Sequence, residues 1–141
     1  MIGGFALNLY QNPRATGDID FLIETSVRNE KNLRTVLIEF GFGSTLPPPS
    51  SPLIEEGKIL MLGRSPFRID LLTKIDGVTF SEVARTCLQL EIDSLQIPVI
   101  SPRMLLRNKE STGRAKDEAD AIELRKWIDS GGDLGFPNPQ S

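Results

Sequence analysis

Asp18 and Asp20 stand at i and i+2 at the head of an apolar run, Phe21-Leu22-Ile23. On a strand such residues project from one face, close together. Two like charges that close repel each other unless a cation lies between them. The fitting cation is Mg²⁺, a hard ion that takes one or two carboxylates together with phosphate oxygens. A third acid, Asp70, sits inside another apolar run, Phe67-Arg68-Ile69-Asp70-Leu71-Leu72. A carboxylate there is costly to bury unless paired or metal-bound. Metal ligation is favoured over its alternative, an ion pair with Arg68 or Arg14. Three carboxylates on neighbouring strands can hold two metal ions, which stabilise the attacking and leaving oxygens of a phosphoryl displacement.

The elements that must position these acids can be read along the chain. Met1-Ile2 reads as the stub of a strand ending at Gly3-Gly4, followed by a short helix over residues 5–11. Gly3-Gly4 is read as a phosphate-cradling turn at a helix N-terminus rather than a merely steric one. Arg14, in the loop before the acids, is either a surface arginine or a phosphate contact. A strand is expected over 18–24, with Ile19, Phe21 and Ile23 on the face opposite the acids. Ser26 is the expected cap of a helix whose apolar stripe is Leu33, Val36, Leu37 and Phe40, with Gly41 as its stop. Residues 42–52, with three consecutive prolines, form a loop, and its part from Thr45 to Pro52 is a candidate border of an acceptor site. Strands over 58–62 and 67–72 form a hairpin through Gly63-Arg64-Ser65-Pro66. A short helix over 80–87, strands over 88–92 and 95–100, and a helix capped by Ser101-Pro102 and running to Lys109 follow. The last helix spans 115–130 and buries Ala121, Leu124, Trp127 and Ile128. Asp117 and Asp120 continue that apolar face, an unusual place for acids.

Composition narrows the chemistry. The 141 residues suit one domain, and 39% hydrophobic with 25% charged content is ordinary for a globular chain. A net charge of −3 gives no global field that attracts nucleic acid. Histidine is absent, which excludes Ser-His-Asp and Cys-His catalysis and His-ligated zinc. The lone Cys87 excludes an intramolecular disulfide, fits a reducing compartment and is expected to be a small core residue. No apolar run approaches a membrane span and no secretory leader is evident, so the expected location is cytoplasmic.

Gly3-Gly4, Asp18-Ile19-Asp20 and Asp70 together resemble the nucleotidyltransferase superfamily of the DNA polymerase β kind. The stretches GGFALNLYQNPRATGDIDFLI and IPVISPRMLLRNKESTGRAKDEADAIEL are especially similar to its AbiEii-like branch, which includes toxins of toxin–antitoxin systems. The resemblance covers most of residues 1–128. It implies a minimal nucleotidyltransferase fold: an α/β (α+β) domain over 1–132 with a mixed, mostly antiparallel sheet and flanking helices on one side, then a loose tail over 133–141. Relative to that pattern the first strand is truncated, since the chain starts two residues before Gly-Gly. It also implies transfer of a nucleoside monophosphate from an NTP to a hydroxyl of RNA, protein or a small molecule, with Mg²⁺ or Mn²⁺ on Asp18, Asp20 and Asp70. An antitoxin protein is the implied partner, and a second copy of the chain is a candidate cover for the sheet edge that the short first strand exposes.

The resemblance gives a second reading to Lys109, Lys116 and Asp117, otherwise a solvated, charged helix start: a lysine that contacts phosphate, and an acid near the nucleotide or near the lysine. The competing function is a catalytically weak or inactive module of the same fold that binds a nucleotide or a protein. Two other enzyme classes with paired acids fit less well. Glycosyltransferases of the D-x-D kind need a larger domain. Haloacid-dehalogenase-type phosphatases carry Thr or Val two residues after the second acid, where this chain has Leu22.

Overall fold

The computed structural model describes residues 1–11, 13–132 and 135–136. In chain order the elements are α1 (Gly3–Asn8), β1 (Asp18–Leu22), α2 (Val27–Leu37), β2 (Ile59–Arg64), β3 (Phe67–Leu72), α3 (Phe80–Thr86), β4 (Leu88–Ile92), β5 (Leu95–Val99), α4 (Pro102–Ser111) and α5 (Ala115–Asp129). This is a small mixed α/β domain of the α+β kind. Three strands form one sheet in the order β1-β3-β2, and β4-β5 is a separate antiparallel hairpin. β1 runs parallel to β3, whereas β2 and β3 are antiparallel. Ile2 adds a single antiparallel bridge to Asp20 on the other edge of β1, through Ile2 N–H to Asp20 O at 2.9 Å.

The period-2 pattern of the strands splits the core in two. Phe21 and Ile23, with Ile69, Leu71, Leu60 and Leu62, face a cluster that also takes Leu33 and Leu37 of α2. Leu22 and Leu72, on the face that carries the acids, join the larger cluster of α1, α4 and α5, centred on Leu7, Tyr10, Leu105 and Leu124. Helices therefore cover both faces of the sheet, not one. Both faces bear enough apolar side chains to need covering, because only the polar end of the second face carries the acids. Tyr10 is fully buried and donates its hydroxyl to Ile100 O at 2.7 Å, tying α1 to the end of the hairpin.

Local signals account for most boundaries. Ser26 accepts the Asn29 N–H at 3.1 Å and caps α2. Thr79 and Glu82 form a reciprocal capping box on α3. Arg34 gathers the carbonyls of Pro47, Pro48 and Ser51, and Glu30 accepts the Leu53 N–H, so α2 pins the proline-rich loop.

The stripe of α2 is narrower than expected: Val36 and Phe40 are exposed. Beyond Leu37 the helical turns run on to a kink at Gly41, the expected stop, which takes φ 100°. The exposed Phe40 ring stacks on that of Phe42, at 6.0 Å. Ser101 makes no cap bond. Cys87 is half-buried at the end of α3 rather than in the core. α1 begins at the glycines themselves, two residues earlier than expected. Of the tail, only Gly135 and Phe136 are described; the Phe136 ring stacks on Tyr10 at 5.6 Å. The expectation of a loose tail otherwise lies outside the described residues. Among the described residues no helix is long and apolar enough to cross a membrane.

Candidate active site

Parallel pairing of β1 and β3 sets Asp20 opposite Asp70 and Asp18 opposite Arg68. Partners in register share a face, so three carboxylates and one guanidinium stand together. Arg68 holds Asp70 with a two-pronged grip, Nε to Oδ1 at 2.7 Å and Nη2 to Oδ2 at 2.8 Å. The same Nη2 reaches Asp18 Oδ2 at 2.8 Å. One nitrogen thus bonds both Asp18 and Asp70. The planar fork of arginine suits this arrangement better than the point charge of lysine would.

Neutralisation is incomplete. Three acids face one cation, and Asp18 Oδ1 is buried with no hydrogen-bond partner among the described residues. Burial, then the neighbouring charges of Asp70 and Asp18, push the Asp20 carboxyl above its ordinary pKa, against the opposing pull of Arg68 and Lys109. A buried, orphaned carboxylate oxygen beside a second acid with a raised pKa fits a cation site: a divalent ion would satisfy the one and relieve the other. With Arg68 in its place, no group of three or more His, Cys, Asp or Glu residues among those described is gathered as ligands of one ion.

Gly3 and Gly4 owe part of their identity to this packing. Gly3 has φ +67°, and a Cβ there would fall 2.0 Å from Asp20 Oδ2. A Cβ at Gly4 would meet Thr16 Oγ1 at 2.8 Å. The start of α1 therefore presses against the Asp20 carboxylate and against the loop that leads into β1. Any side chain at position 3 would displace the acid as well as strain the backbone.

A second charged cluster lies beside the first, between α4 and α5. Lys109 is buried; its Nζ bonds Asp117 Oδ1 and lies 3.2 Å from Asp120 Oδ2. Arg14 holds Asp120 by Nη1 to Oδ1 and Nη2 to Oδ2, both at 2.6 Å. Thr112 Oγ1 donates to Asp117 Oδ2 at 2.8 Å. Asn8 fixes the Arg14 backbone from both sides, at 3.2 and 2.8 Å. Burial alone would raise the Asp117 pKa. The bonds from Lys109 and Thr112 and the charges of Lys109 and Arg114 outweigh it and hold the carboxyl below its ordinary value.

The residues singled out from sequence thus divide. Asp18, Asp20, Asp70 and Gly3 meet at one place; Arg14, Lys109 and Asp117 meet at the neighbouring one. Lys116 joins neither: it is exposed and makes no ion pair among the described residues. Arg14 closes on Asp120, so its described contact is a carboxylate and not an open phosphate subsite. Asp120 had no assigned role in the site, and Arg68 entered only as the alternative ion-pair partner of Asp70, which is the contact the structure shows; the i, i+2 rule that joined Asp18 to Asp20 equally sets Arg68 beside Asp70.

A cavity of about 630 Å³ lies elsewhere, between the end of β1, α3 and the hairpin, lined by Ile2, Phe21, Leu22, Val83, Cys87 and Ile100 among others. Its wall includes none of the three acids. Comparison with models of known protein families gave no match, and comparison with curated proteins gave none.

Proposed function

We propose that this chain is a metal-dependent nucleotidyltransferase that moves a nucleoside monophosphate from an NTP to a hydroxyl, releasing pyrophosphate. The observation that carries the reading is the single sheet face on which Asp18, Asp20 and Asp70 stand with one guanidinium between them, leaving a buried Asp18 oxygen without a partner. The resemblance of the Gly-Gly, D-x-D and third-acid pattern to nucleotidyltransferases supports it independently. A family of that kind takes RNA, protein or a small molecule as acceptor, and a toxin role paired with an antitoxin protein belongs to the same reading.

In this mechanism Asp18 and Asp20 would hold Mg²⁺ or Mn²⁺ together with the triphosphate, and Asp70 would stand beside a second ion. Such ions would supply charge neutralisation at the attacking and leaving oxygens. The acceptor oxygen forms a bond to the α-phosphorus as the bond to the bridging oxygen breaks, and pyrophosphate leaves with that electron pair. Asp70 accepts or directs the proton of the acceptor hydroxyl. Lys109 and Asp117 lock α4 to α5 behind the acids, and the gain is mostly positioning and preorganised charge.

A non-catalytic binding module is the second reading, and the Arg68 bridge favours it, since Asp18 and Asp70 already have a counter-charge without metal. Nucleotide binding separates the two. The enzyme binds NTP only with Mg²⁺ or Mn²⁺ and transfers label from one labelled NTP to a fraction of a cell extract. A module for protein partners binds no NTP under either condition, and that result overturns the proposal.

A further inference from the structure

We infer that Arg68 is a built-in counter-cation that closes the Asp70 side of the acid cluster until nucleotide arrives, so that the two metal positions fill in order. The inference rests on the metal-dependent reading above. The asymmetry of the bonds is what carries it. Both oxygens of Asp70 are taken by Arg68, through Nε and Nη2. Asp18 gives Arg68 only Oδ2, at 2.8 Å, while its buried Oδ1 has no partner among the described residues. Asp20 makes no ion pair among the described residues. The Asp18–Asp20 position is therefore open to an ion in the resting protein, and the position that needs Asp70 is blocked by a guanidinium.

Arg68 is also placed to leave. Its side chain is 30% exposed, so release into solvent does not open the core. Its register partner on β2 is Gly63, which puts no side chain beside it on that face. A buried arginine packed among aliphatic side chains would be fixed; this one is held by three hydrogen bonds to two carboxylates. A divalent ion that comes with a triphosphate competes for the same oxygens, and the freed guanidinium retains a phosphate oxygen as an alternative partner. Metal entry and Arg68 departure are then two sides of one exchange. The protein is spared the repulsion of three bare acids when empty, and it does not load the second ion without substrate.

The test is a count of Mn²⁺ bound per chain, from the loss of the free-ion electron paramagnetic resonance signal, with and without a non-hydrolysable NTP analogue. The wild-type chain takes one Mn²⁺ alone and two with the analogue. Arg68→Gln takes two without the analogue, or binds the second at least about tenfold more tightly. Arg68→Lys, which keeps the charge but loses the fork, falls between them. Two equal Mn²⁺ sites in the wild-type chain without nucleotide overturn the inference and leave the metal-dependent reading standing. Unchanged counts and affinities in Arg68→Gln, shown folded by circular dichroism, overturn it as well. If Arg68→Gln does not fold, the wild-type count and Arg68→Lys decide alone. No Mn²⁺ bound by any of the proteins, with or without the analogue, brings down the metal-dependent reading and this inference together.

Discussion

Two clusters of charge lie side by side in this domain, and they are built to opposite rules. The network of Lys109, Asp117, Asp120 and Arg14 sets two cations against two acids, between α4, α5 and the loop before β1, with only Arg14 exposed. Each of its acids has at least two hydrogen-bonding or ion-pairing partners. The sheet-face cluster sets one cation against three acids and leaves a buried carboxylate oxygen unmet. Burying charge is tolerable only when it is paired. The closed network therefore reads as scaffold, and the under-neutralised one is where the proposed reading seats its cation.

Replacing the open cluster's central acid breaks this comparison most directly. Asp20→Asn is expected to lower transfer at least about 1,000-fold, which is about 4 kcal/mol of transition-state stabilisation. The metal-free protein loses no stability, because a like charge is removed from beside Asp18 and Asp70. Normal turnover of Asp20→Asn in Mg²⁺ would remove the acid face from the mechanism.

Lys109→Ala has the opposite signature. It leaves Asp117 and Asp120 buried without their shared cation, a change that costs about 3–5 kcal/mol. Chemical denaturation measures it, and the loss per folded molecule in turnover is small beside the loss in stability. A fully stable Lys109→Ala protein with impaired NTP binding would make the network part of the site.

The acids and their elements were legible in the sequence for a simple reason: a period of two is a local rule. Asp18 and Asp20 on one face, Ile19, Phe21 and Ile23 on the other, the hairpin at Gly63–Pro66 and the cap at Ser26 all follow from neighbours in the chain. The exposure of Phe40 was not legible, because its ring partner Phe42 lies beyond the kink at Gly41. The pairing of Arg14 with Asp120 spans 106 positions. Which acid a loop arginine chooses is decided by packing that no local pattern encodes. Lys109 was visible as a charged residue near a turn, but its burial required α5 to supply two acids from across the interface.

The clusters also differ in how acid affects them. Asp20 has a raised folded pKa, so between its unfolded and folded values the native state binds more protons than the unfolded one. Stability then falls as pH rises through that window. Asp117 has a lowered folded pKa, so its contribution is present above the unfolded value and is lost as pH falls through the folded one. Unfolding free energy measured against pH for the wild-type, Asp20→Asn and Asp117→Asn chains separates them. The Asp20→Asn difference grows toward neutral pH as a gain, and the Asp117→Asn difference grows toward neutral pH as a loss. Curves of the same sign would show that the two clusters titrate as one.

The smallest effect is expected at Lys116. It opens α5 at its second residue, exposed, with no ion pair among the described residues. A cation there opposes the positive end of the helix dipole, so stability gives no reason for it. Asp117, the next residue, is turned inward and taken by Lys109, which fixes the backbone that carries Lys116. An unneutralised lysine on a fixed backbone can serve as a point charge for a phosphate. Lys116→Ala is expected to raise the KM for NTP or lower kcat by about tenfold, roughly 1.4 kcal/mol. Its unfolding free energy rises by a few tenths of a kcal/mol, about what a mismatched charge at a helix start costs. A stable protein with unchanged kinetics would leave Lys116 a surface charge and move the search for the phosphate contact to Arg68, once it has left Asp70, and to Arg114.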